Sequence, residues 1–111
     1  MLYKFKSKAA GDLIMLQANG RQMLEIIGKD TSQASGGKGI LLPTEMPAAL
    51  VALQKAVEKD DEMRRTAIQS ATQKGEPTPR FEAISLHQRA VPLMDMLRRC
   101  ETARHEIVWG V

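Results

Sequence analysis

The chain has 111 residues, 43% of them hydrophobic and 26% charged, which suits one folded domain and excludes a disordered tail or a fibrous repeat. Aromatics make up only 4% against seven methionines, so Leu, Ile, Val, Met and Ala must build most of the core. The net charge is +3, and the whole excess lies before residue 44, where Lys4, Lys6, Lys8, Arg21, Lys29 and Lys38 stand against Asp12, Glu25 and Asp30 alone.

Residues 2–7 alternate strictly, which predicts a half-buried strand with Tyr3 and Phe5 toward the core and Leu2, Lys4 and Lys6 on the opposite side. Residues 8–12 have turn chemistry, and the apolar run 13–16 reads as a second strand of a hairpin, buried on both faces. Met23, Leu24 and Ile27 fall at helical spacing between a candidate N-cap, Asn19, and a stop, Gly28, so a short helix is expected over 20–27. The polar, Gly-rich residues 29–39 read as an exposed loop, and Ile40-Leu41-Leu42 as a third short strand.

Thr44 is a candidate N-cap, Pro47 suits a first helical turn, and Met46, Leu50, Leu53 and Val57 repeat at helical spacing. Nothing interrupts this segment before Gly75, so a helix of about 28 residues, roughly 42 Å long, is predicted. That exceeds the ~27 Å diameter implied by a ~13 Å radius of gyration for a chain of this size. The helix must therefore overhang, break near Asp60-Asp61, or pack against another subunit. Residues 75–79 form a breaker-rich linker, and Ser85 with Gln88 has capping-box spacing. The stripe Leu86, Ala90, Leu93, Leu97 and Cys100 then marks another helix, in which Pro92 should introduce a kink. Ile107 to Val111 has strand composition and is expected to pair beside the first or second strand, with Trp109 a packing anchor and Gly110 permitting close approach; a free tail offered to a partner is the alternative. The pattern over residues 1–111 is a single α+β domain, in which a small, mostly antiparallel sheet of three to four short strands packs against two longer helices and one short helix.

Candidate chemistry is sparse. No apolar run approaches the eighteen or so residues that span a bilayer, the first residues lack a secretory h-region, and Cys100 is the one cysteine, so a cytoplasmic protein with a free thiol is expected. Lys4, Lys6 and Lys8, about 7 Å apart along one side of a strand, could follow phosphates of a nucleic acid. No recognition motif accompanies them and the aromatics lie on the other side, so a solvated strand guarded against aggregation is the stronger reading. Gly36-Gly37-Lys38-Gly39 misses the phosphate-loop pattern, which needs a glycine at Ser32 and a hydroxyl at Gly39. Cys100 and His105 project about 140° apart on a helix, too far for a dyad, and His87 has no metal-ligand spacing around it. No catalytic, cofactor or metal-binding residue is predicted.

The opening Met-Leu-Tyr-Lys-Phe-Lys-Ser, Gly-Asp-Leu-Ile-Met at 11–15, Lys38-Gly39-Ile40, Arg89-Ala90-Val91-Pro92-Leu93 and Val108-Trp109-Gly110-Val111 together resemble a family of short bacterial proteins grouped as domain of unknown function 1840. The resemblance spans nearly the whole chain and implies no activity. The expectation is a non-enzymatic interaction or regulatory module that forms a homo-oligomer, in the simplest case a dimer, because the long helix overshoots and carries Met63, Ala67 and Ile68. An enzyme or small-ligand binder with a site between subunits, and a nucleic-acid binder through the lysine row, are the alternatives.

Overall fold

The computed structural model describes residues 2–29, 38–79 and 85–110. Most of the expected loop at 29–39, residues 80–84, Met1 and Val111 lie outside them. The elements in chain order are strand β1 (Leu2–Ser7), strand β2 (Ala10–Leu16), helix α1 (Gln17–Ile26), strand β3 (Gly39–Leu41), a 3₁₀ turn (Pro43–Glu45), helix α2 (Met46–Lys74), helix α3 (Leu86–Ala103) and strand β4 (Ile107–Trp109).

The four strands form one antiparallel sheet in the order β2-β1-β4-β3. Phe5, Met15, Leu41, Ile107 and Trp109 project from one face of it into a core shared with Met23 and Leu24 of α1, Met46, Ala49, Leu53 and Val57 of α2, and the α3 stripe. All three helices thus cover the same face. Five of the seven methionines, at 15, 23, 46, 94 and 96, sit in this core. Their unbranched, flexible side chains fill the gaps that bulkier aromatics would otherwise occupy.

One layer of helices explains the clearest correction. β2 was expected to be buried on both faces, but it is an edge strand of a sheet covered on one side only. Met15 is buried and Leu13 half-buried, while Ile14 and Leu16 point away from the helices and are 53% and 65% exposed. The hairpin turn is also tighter than expected. Only Lys8 and Ala9 connect the strands, a register irregularity between Phe5 and Ser7 absorbs the bend, and the Ala9 N–H donates to Ser7 Oγ at 3.3 Å.

The α1 helix starts at Gln17 directly out of β2, three residues before the expected start, so Asn19 is inside the helix and does not cap it. Its Oδ1 accepts instead from Arg89 Nη1 of α3 at 2.9 Å, a contact 70 residues away in sequence. Gly28, at φ 85°, does end the segment: the N–H of Lys29 reaches back to the Leu24 carbonyl at 2.8 Å.

α2 runs unbroken for 29 residues, about 43 Å. Asp60 and Asp61 do not break it, because each is held by a partner: Asp60 Oδ2 lies 3.0 Å from Arg64 Nε one turn on, and Asp61 Oδ2 lies 3.3 Å from His87 Nδ1 of α3. His87 is the second residue of α3, so α3 begins level with Asp61 and the remaining turns of α2 overhang it. The molecule accordingly measures 51 × 29 × 22 Å with a radius of gyration of 16.1 Å, more elongated than an average chain of its length. Ser85 and Gln88 form the expected capping box, and the α3 stripe from Leu86 to Cys100 is buried throughout. β4 inserts between β1 and β3, not at an edge.

Candidate functional site

The sheet face away from the helices is not covered by any element of the described residues. Cross-strand register places Leu2 beside Leu16 and Lys4 beside Ile14, and a second row runs Lys6, Val108, Ile40 across β1, β4 and β3. Leu2, Ile14, Leu16 and Ile40 are between 45% and 65% exposed. This face is therefore apolar at two opposite corners, with Lys4 and Lys6 between them.

Lys4 is exposed and Lys6 half-buried on β1, but Lys8 belongs to the turn and does not extend the strand row. A small depression lined by Lys6, Ser7, Lys8, Glu106 and Val108 puts an acidic side chain beside these lysines. Tyr3, Phe5 and Trp109 all lie on the opposite, helix-covered face. The Tyr3 and Phe5 rings stack with centroids 6.3 Å apart, and Phe5 meets Trp109 at 5.9 Å with the planes tilted by 57°. None of these three rings lies on the lysines' side of the sheet.

Trp109 is 2% exposed and covers Gly39 of β3, its register partner, so closely that a Cβ there would overlap the indole ring. Gly39 is thus a position of close approach. Gly20 has the same relation to Tyr3. Neither glycine is marked by its local sequence, because Gly20 reads as the first residue of a helix and Gly39 as the end of a loop; the requirement comes from a ring contributed by another element.

Cys100 is fully buried within the α3 stripe, and His105 lies past the helix end, where its backbone N–H donates to the Cys100 carbonyl at 3.0 Å. The two form no dyad; this part of the chain closes the helix, with Arg104 in the left-handed region at φ 60°. Arg89 also has a role its sequence position hides. Besides Asn19 it donates to Gln22 Oε1 at 2.9 Å, clamping the start of α3 to α1. Near the 3₁₀ turn, Lys29 Nζ meets Glu45 Oε2 at 2.8 Å and the Leu42 N–H donates to Glu45 Oε1 at 2.9 Å. The hydrogen bond from Lys29, and secondly that from Leu42, holds the Glu45 carboxyl below its ordinary range.

Among the described residues no three His, Cys, Asp or Glu side chains come together as a metal would need, and no polar or charged side chain is buried. No helix among them is long and apolar enough to cross a membrane. The chain belongs to the family described as domain of unknown function (DUF1840), whose model matches residues 1–109. No curated protein and no solved structure matches it.

Proposed function

We propose that this member of the family is a non-enzymatic interaction module that associates with a second copy of itself, in a reducing compartment such as a bacterial cytoplasm. The observation that carries this reading is the uncovered sheet face with Leu2, Ile14, Leu16 and Ile40 about half exposed on it. Fully burying a Leu or Ile side chain is worth about 1.5–3 kcal/mol, so four half-exposed ones hold several kcal/mol that only a partner can realise. Met63 and Ile68 on the overhanging part of α2, 61% and 40% exposed, support the same reading. The free thiol of Cys100 supports the reducing compartment.

The nucleic-acid alternative has less support. Single strands bind where bases stack on aromatic rings inside a basic groove, and here Tyr3, Phe5 and Trp109 are on the covered face and Glu106 sits beside Lys6 and Lys8. Light scattering at tens of micromolar tests the proposal. Twice the 12.3 kDa chain mass is expected, and a mass of one chain removes self-association. Salt-sensitive retention on an immobilised polyanion would favour the lysines as a nucleic-acid contact instead.

A further inference from the structure

The two edges of the sheet differ in a way that points to where a second copy sits. β3, at one edge, is three residues long, follows Lys38 and is closed off by Pro43 just beyond it. Short length, a lysine and a proline are the ordinary means of blunting an edge strand. β2, at the other edge, is seven residues long, contains neither lysine nor proline, and carries one charged side chain, Asp12. Among the described residues its backbone ladder is to β1 alone, so the N–H and C=O groups on its outer side have no strand partner among them. Ile14 and Leu16 stand exposed beside that open ladder.

We infer that β2 is the seam of a symmetric dimer, in which two copies pair β2 to β2, antiparallel, into one eight-stranded sheet. This rests on the self-association proposed above and places its seam along the β2 border of that face, where Ile14 and Leu16 stand, while Leu2 and Ile40 stay open. Charge selects the edge over the open face. Stacking two copies face to face would bring Lys4 and Lys6 against their own counterparts. Edge pairing leaves the two β1 strands three strand spacings apart, about 14 Å, beyond the ~8 Å Debye length at physiological salt. A second copy is also the occupant that closes the assembly, because its free edge is the blunted β3, whereas an unrelated strand would expose a new edge of its own.

Full overlap selects the register among those a two-fold axis allows. Pairing all of Ala10–Leu16 with itself puts Leu13 at the axis and Ile14 opposite Asp12 of the other copy. In the isolated chain Ile14 is exposed and its cross-strand neighbour is Lys4, so Ile14→Asp is compatible with the monomer fold and gains an opposite-charge neighbour there. In the dimer the same change sets a carboxylate opposite Asp12 at two symmetry-related places.

The test is the mass by light scattering of wild type, Ile14→Asp, Ile14→Lys and Leu13→Cys, each with circular dichroism to verify folding. The expected result is a wild-type dimer, a monomer for Ile14→Asp, a retained dimer for Ile14→Lys facing Asp12, and a disulfide-linked dimer when Leu13→Cys is mildly oxidised. On-axis Cα atoms of an antiparallel pair lie about 4.5–5.5 Å apart, within disulfide range. A wild-type dimer that persists in folded Ile14→Asp, with no cross-link through position 13, overturns the β2 seam and leaves self-association elsewhere on the surface. A monomeric wild type overturns both.

Discussion

Replacing Trp109 with alanine probes the joint on which the sheet is built. The side chain is 2% exposed, lies 5.9 Å from the Phe5 ring and covers Gly39, and its strand carries the ladders to both β1 and β3. Truncating a buried aromatic to alanine costs about 3–5 kcal/mol, against the roughly 5–15 kcal/mol that stabilises a domain. At about 2.1 cal/mol/K per residue, unfolding 111 residues carries an entropy near 0.23 kcal/mol/K, so Tm should fall by about 13–21 °C. The assay is calorimetric or far-UV melting of wild type and variant at one protein concentration, because association would otherwise shift both midpoints. Intrinsic fluorescence adds a second reading: the wild-type emission should be blue-shifted and insensitive to aqueous quenchers. A fall of less than about 4 °C, which is near 1 kcal/mol, would refute the account of β4 as a packed central strand.

Gly39→Ala should destabilise by about 1–3 kcal/mol, since its Cβ would drive into the indole; an unchanged midpoint in thermal melting would contradict the contact. Arg104→Gly should raise stability by about 0.5–1 kcal/mol in urea unfolding, because the left-handed conformation at φ 60° strains a residue with a Cβ and glycine adopts it freely. Glu45 should titrate below 4.5 in carbon-detected NMR, and Lys29→Met should move it upward. As a carboxyl lowered by folding, it contributes stability that is fully present above its unfolded value and lost as pH falls through its folded one. That contribution is at most about 1 kcal/mol for so exposed a pair. Cys100 should react slowly with thiol reagents at neutral pH and quickly once the protein is unfolded, since the thiol is fully buried.

The elements most legible in the sequence are those that local chemistry decides. Alternation marks β1, the Ser85–Gln88 box starts α3, and Gly28 and Gly75 end α1 and α2, because each needs only neighbours in the chain. What the sequence hides depends on which face of an element meets which layer. The run Leu13-Ile14-Met15-Leu16 looks doubly buried, and nothing local says that all three helices choose one side of the sheet. Asn19 has the composition of a cap, yet β2 runs straight into α1 and Arg89 takes the side chain instead. Two acidic residues at 60 and 61 weaken a helix locally, and only Arg64 and His87 show why it continues. The uncovered face is opaque for the same reason: Ile14 and Leu16 become a candidate surface once the sheet order makes β2 an edge.

The central claim, association of two copies through a surface the fold leaves open, is tested most directly by sedimentation equilibrium of the wild-type protein from about 1 to 100 μM, the range over which mass action shifts a dimer of ordinary affinity. The account predicts a reversible monomer–dimer equilibrium that reaches twice the 12.3 kDa chain mass and goes no further. A single species of one chain mass across the whole range would contradict it.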